Sequence, residues 1–313
     1  MVAVDGYKRH MSLWTATQHQ QLIDLIVSKL DGEAIVGPDG MTIAGPGGGV
    51  LGLTNIVKSL KGVPESDWER VIEPYLPLFA AHPEVPKDFA IARRGLRIRL
   101  DPDASQPGWA AYRPVCDGLD QMLVYKTDCG ALTVGEQVIE DWGVAPEEVW
   151  AEALEHTIWD EPRDRRILEK GPVRLVWVRH SFFASSVLLS LDHLLSPGNR
   201  FGAVVMAPIR DALLYAEVND EQVVHAAAAM IEVGGRWYVD EPGAISADLF
   251  WYQKTSGGPK ISRIVQEVNR RYEPCWGSDF SAALAELSSD LDLIDRDRKR
   301  HRTRKRSTPT MPM

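Results

Sequence analysis

Two apolar runs, Ala203–Ala207 and Ala212–Val218, flank the four residues Pro208-Ile209-Arg210-Asp211. Neither run alternates with charge. Short apolar stretches bounded by turn residues have the pattern of buried strands. Two buried strands joined by a tight turn require a sheet around them and helices packed on that sheet. The turn also places a guanidinium and a carboxylate at a sheet end, where functional groups are often grafted onto a fold. Alternatively, Asp211 caps the turn and Arg210 pairs with it or points to solvent.

At 313 residues the chain exceeds the usual size of a single core. We therefore expect a mixed α/β protein of the α+β class with two lobes, each a small sheet with helices packed on it. Residues 12–160 form the N-terminal lobe and 171–294 the C-terminal lobe. Residues 1–11 form a flexible N-terminus, and 295–313 a disordered basic tail. The lobe boundary is placed in the charged stretch from Ile158 to Gly171, which holds Pro162.

In the N-terminal half, Leu22, Ile26 and Leu30 recur at helical spacing, and Asp31-Gly32 ends that helix. A short hairpin turns at Gly37-Pro38-Asp39-Gly40. Val50–Leu53 reads as a strand running into a helix near Thr54. Leu96, Ile98 and Leu100 alternate with Arg97 and Arg99, so a half-buried strand with a solvated arginine face is expected. Met122–Tyr125 reads as a strand, and Pro146 opens a helix to about Thr157. In the C-terminal half, Val173–Val178 reads as a strand and Phe182–Leu195 as an apolar helix. Asn219 with Gln222 resembles a capping box for a helix to about Ile231. Trp237–Val239, Leu249–Tyr252 and Lys260–Val265 read as strands, and a last helix spans about Ser281–Leu293.

No stretch approaches the roughly 18 to 20 apolar residues that cross a bilayer. Met1–Ser12 lacks the apolar centre of a signal peptide. Three cysteines, Cys116, Cys129 and Cys275, show no paired spacing, which fits a reducing, cytoplasmic setting. Ten tryptophans spread along the chain read as separate core anchors rather than one recognition patch.

Gly47-Gly48-Gly49-Val50-Leu51-Gly52 matches a dinucleotide fingerprint in form, but its later residues run into a strand, so no cofactor is expected. The histidines have no partner at metal-ligand spacing, and no metal is expected. The His180-Ser181 pair lacks a nucleophile elbow. Cys129 beside Asp128 lacks the electropositive setting of a reactive thiol. Asp101-Pro102-Asp103 is a carboxylate pair at a strand end that could act on a ligand or serve as turn chemistry. Asp101, Asp103, Arg210 and Asp211 are thus the candidate catalytic residues.

Charge is unevenly placed. Arg296–Arg306 carries eight basic residues against one Asp297, about +7, which leaves about −16 on the rest of a chain whose total is −9. Arg298, Lys299, Arg300, Arg302, Arg304, Lys305 and Arg306 could contact nucleic-acid phosphates without sequence preference. The acidic remainder opposes such contact.

The segments Val50–Ile56, Ala131–Ala153, Ala184–Leu188, Gly202–Leu214 and Ala244–Ile264, taken in order, carry a family pattern. It consists of a strand entering a helix, a strand-loop-helix with Trp142 in the loop, and a helix followed by a strand, a Pro-x-x-Asp turn and a strand. A hairpin closes it. This order resembles the YtpQ-like family of uncharacterised bacterial cytosolic proteins, over about two-thirds of the chain. Gly45–Gly49, the loop Ile158–Lys170 and the basic tail depart from it. The resemblance implies a bacterial cytoplasmic protein and carries no established activity. The leading expectation is a non-enzymatic accessory protein that binds another protein, with no membrane partner. Nucleic-acid association through the tail is the second expectation, and an undetected hydrolase or transferase the third.

Overall fold

The computed structural model describes residues 14–30, 34–38, 40–45, 50–77, 84–102, 109–128, 130–159, 164–170, 173–179, 182–220, 222–269 and 271–288. The fold is mixed α+β, built on three antiparallel sheets.

Helix α1 (Ala16–Lys29) opens with a capping box. The Thr15 hydroxyl accepts from the Gln18 amide, and the Gln18 side chain accepts from the Thr15 amide. Leu22, Ile26 and Leu30 are all buried, as their spacing predicts. Strands β1 (Ile35–Val36), β2 (Thr42–Ala44) and β3 (Val50–Gly52) form the smallest sheet. Helix α2 (Leu53–Ser59) follows directly, and α3 (Trp68–Ile72) lies between two 3-10 turns. Helices α1, α2 and α3 and strand β2 share one apolar cluster, in which Trp14 stacks on Trp68 at 4.8 Å.

Helix α4 (Phe89–Ala92) leads into β4 (Leu96–Asp101). With β5 (Tyr112–Cys116), β6 (Leu119–Thr127) and β7 (Gly130–Thr133) it forms the four-stranded sheet, in which β6 pairs with all the others. Helices α5 (Glu136–Trp142) and α6 (Pro146–Trp159) come next. The seven-stranded sheet holds β8 (Asp164–Lys170), β9 (Val173–Arg179), β10 (Ala203–Ile209), β11 (Ala212–Glu217), β12 (Leu249–Thr255), β13 (Gly258–Val268) and β14 (Arg271–Pro274). Its order is β14-β13-β12-β10-β11-β9-β8. The hairpin of two apolar runs lies inside this sheet, and every residue of β10 is buried. Helix α7 (Gln222–Asp240) and helix α8 (residues 278–288) cover one face, here the outer face. On the inner face, Val205, Leu213, Tyr215 and Phe250 meet Ile98, Leu100 and Trp150 in one core. That core is built from residues on both sides of the segment 160–171.

Four local expectations are corrected. The arginine face of β4 is not solvated: Arg97 is only 6% exposed and donates to the carbonyls of Arg94 and Leu96. Trp237–Val239 is not a strand but the last turn of α7. Gly234-Gly235 suggests a break there. Yet a Cβ on Gly234 would lie 2.4 Å from Met206 Sδ, so glycine lets the unbroken helix approach the sheet. The apolar stretch after Phe182 is a 3-10 helix, Ala184–His193, bent at Ser190. Its polar groups bond outward, with the Ser185 amide donating to the Arg210 carbonyl and the Ser186 hydroxyl accepting from the Leu100 amide. The charged segment expected as a loop contains the edge strand β8.

Two polar ties hold the sheets together. Lys58 on α2 is buried and donates to the carbonyls of Tyr238 and Glu241, at 3.0 Å each, at the C-terminal end of α7. Burial draws its ammonium down to about 8, against the pull of Asp240 and Glu241. Asn55 Oδ1 accepts from the Gly243 amide beside it. On the other side of the molecule, Arg263 on β13 bridges Asp248 and Asp117, joining the large sheet to the β5–β6 turn. Among the described residues, no helix is long and apolar enough to cross a membrane.

Candidate functional site

The turn between β10 and β11 sends its two charged side chains to opposite faces of the seven-stranded sheet. They are the two turn residues between Ile209 and Ala212, and their partners lie on different strands: Asp101 at the end of β4 and Arg179 at the end of β9. Arg210 and Asp211 therefore do not pair with each other.

Arg210 points inward. Its Nη2 donates to Asp101 Oδ1 at 3.2 Å. Asp101 ends β4, and its other oxygen accepts from Arg99 Nε at 2.5 Å. One buried carboxylate thus holds two guanidiniums. Arg99 and Asp101 share a face because they are two residues apart on one strand. The Arg210 guanidinium lies over the ring of Phe182, 5.6 Å from its centroid, and Phe182 is exposed. Burial, and next the neighbouring charge of Arg99, pull Arg210 below the ordinary guanidinium value, and Asp101 opposes them. Among the described residues, Arg210 Nε is buried without an acceptor, as is the hydroxyl of Ser185, whose amide donates to the Arg210 carbonyl.

Asp211 points outward. Its Oδ2 accepts from Arg179 Nε at 3.3 Å, at the end of β9. The Arg179 guanidinium lies 5.2 Å from the Trp177 ring and 5.8 Å from the Trp237 ring, which themselves sit 5.0 Å apart. Asp164 and Arg166 of β8, paired at 2.6 Å, complete a cleft of about 340 Å³ with Trp177, Arg179 and Asp211. Trp177 Nε1 is buried there without an acceptor. The two arginines and two aspartates of this cleft balance in charge.

Of the four candidate catalytic residues, Asp101 and Arg210 are in contact, Asp211 belongs to the opposite face, and Asp103 lies outside the described residues. The four do not form one set. Cys129, His180, Ser181 and the basic tail, with Arg298, Lys299, Arg300, Arg302, Arg304, Lys305 and Arg306, also lie outside the described residues. Asp240 pairs with Lys61. His193 packs against Trp159, and His156 lies 3.4 Å from Glu152. Gly52, the last glycine of the fingerprint-like run, closes β3, and α2 begins at the next residue. Among the described residues, no group of three or more His, Cys, Asp or Glu is placed to hold a metal ion.

Sequence reasoning missed Arg99, Arg179, Trp177 and Phe182. For Arg99 a signal existed: Arg-x-Asp on an extended segment puts both charges on one side, within pairing reach. Trp177 and Arg179 likewise sit two residues apart on β9 and share a face, but their other partners, Trp237 and Asp211, and the Arg210 that Phe182 meets, come from distant parts of the chain.

Compared with protein-family models, curated proteins and solved structures, the chain matches none.

The tryptophans range from buried to exposed, with Trp14, Trp177 and Trp237 between. Trp251 is buried and donates to the Phe201 carbonyl at 2.8 Å. Trp109, Trp159 and Trp276 are exposed, by 60%, 63% and 43%. Trp159 ends α6, five residues before the edge strand β8 begins. On β8, Ile167 is 47% exposed. Among the described residues, β8 pairs only with β9, so its other backbone edge is open.

Proposed function

We propose that this chain is a non-enzymatic accessory protein of the YtpQ-like kind, acting in the bacterial cytoplasm, which binds another protein at the β8 edge of its seven-stranded sheet. The observations that carry this reading are the exposure of Trp159, five residues before β8, and the edge of β8 that pairs with no other strand among the described residues. A large aromatic left in water is costly alone and valuable as an interface anchor. An open edge offers main-chain donors and acceptors to an extended segment of a partner. The charges of Asp164, Arg165, Arg166 and Glu169 keep that edge from pairing indiscriminately and select a segment of complementary charge.

The test is affinity capture from the native host at low and high salt. Full-length protein is compared with Trp159→Ala, Ile167→Asp and a version ending at Asp295. We expect a stoichiometric protein partner that survives salt and truncation and is lost in the two β8-region variants. Capture that ignores both variants refutes the β8 assignment. Nucleic acid released by salt and lost with the tail would put the tail reading in its place.

A further inference from the structure

We propose that the inner side of the β10–β11 turn is a binding site for a small oxyanion of the phosphate-monoester class, held by Arg210 and Arg99. This goes beyond protein binding at β8 and uses the opposite face of the sheet.

The case begins with charge. Two guanidiniums converge on the single carboxylate of Asp101, and all three side chains are largely removed from water. A carboxylate balances one guanidinium, so this trio keeps a surplus of one positive charge. Arg97 and Asp120 are buried on the same face of the four-stranded sheet, one cation and one anion, and among the described residues leave the surplus unchanged. Uncompensated buried charge is costly, and a bound anion is the simplest way to relieve it.

Hydrogen-bond accounting gives the same answer. Among the described residues, Arg210 Nε is a buried donor with no acceptor, and the Ser185 hydroxyl, fully buried, has no partner. Buried donors without acceptors are rare in folded proteins and mark places where a ligand or water completes the set. The Arg210 Nε donor, beside the Nη2 that holds Asp101, suits an oxygen of a tetrahedral anion seated next to that carboxylate. Access is through Phe182, whose exposed ring lies on the Arg210 guanidinium and could border an ester group. The surplus charge separates this site from the outer cleft, where arginines and aspartates balance.

The test is thermal unfolding and titration calorimetry of the full chain with inorganic phosphate and with phenyl phosphate, against sodium chloride at matched ionic strength. Arg210→Gln and Arg210→Lys are the variants, and both retain the basic tail. We expect phosphate to raise the melting temperature of the wild type beyond the chloride control. Phenyl phosphate should bind more tightly than phosphate. Arg210→Gln should weaken both by roughly tenfold or more, the scale of a hydrogen bond to a charged group, and Arg210→Lys should recover part of the loss. If Arg210→Gln unfolds, the comparison rests on Arg210→Lys, which keeps the charge and removes the fork. No phosphate effect beyond chloride overturns the proposal. So does an equal effect in wild type and both variants, which would place phosphate on the tail or elsewhere. None of these results depends on whether a protein partner binds at β8.

Discussion

Asp101 and Arg210 are 109 residues apart in the chain and joined by a hydrogen-bonded ion pair of 3.2 Å. The pair pins the end of β4 in the four-stranded sheet to the hairpin inside the seven-stranded sheet. Because Arg99 shares the same carboxylate, removing Asp101 exposes two buried cations to each other. Asp101→Asn is predicted to destabilise the protein by about 3 kcal/mol, the cost of breaking a buried pair from one side. Urea unfolding measures it, and a loss below about 1 kcal/mol would mean that water reaches the trio.

Lys58 gives a pH-dependent signature. Its folded-state value of about 8 lies below the ordinary lysine value of 10.5. Between those values the unfolded chain holds a proton that the folded chain has released, so stability attributable to Lys58 rises with pH across that window. The stability of wild type minus that of Lys58→Met is predicted to climb from about pH 8 to 10.5. A flat difference would place the Lys58 ammonium in contact with solvent.

Two glycines with the same left-handed backbone separate conformational strain from crowding. Gly143 has φ +64° with open space around it, and Gly202 has φ +73° with the Tyr252 carbonyl oxygen 1.8 Å from where a Cβ would sit. Gly143→Ala is predicted to cost about 1 kcal/mol, the penalty of a Cβ in that region. Gly202→Ala should cost at least twice as much, because β12 backbone must also move. Equal costs in denaturant melts would refute the crowding account.

The buried and the exposed tryptophans should behave differently. Trp251→Ala is predicted to cost about 3 to 5 kcal/mol, the range for emptying a large aromatic site in a core. Trp159→Ala should change stability by about 0.5 kcal/mol or less, as exposed positions do. A large loss at Trp159 would recast its contact with His193 as structural and remove the main support for a β8 interface.

Legibility in the sequence followed the range of the interactions. The hairpin around Pro208–Asp211, helix α1 with its Leu22, Ile26 and Leu30 spacing and the start of α6 at Pro146 all depend on neighbours in the chain, and their signals are local. Strands β5 and β14 carry Pro114 and Pro274 and expose much of their surface, so their composition does not separate them from loops. The Arg97–Arg99 alternation looked solvated because amphipathic spacing says which residues share a face, not what covers it. That cover comes partly from Arg210, and strand order across sheets is not written in spacing. The same gap hid the parting of Arg210 from Asp211, since their faces become distinct only once different layers occupy each side.

That parting has a mechanical corollary. Arg210 and Asp211 are linked by one rigid peptide unit, with one side chain clamped indoors by Asp101 and the other tethered outdoors by Arg179. A shift imposed on either anchor therefore reaches the other through a single peptide unit at the end of the sheet.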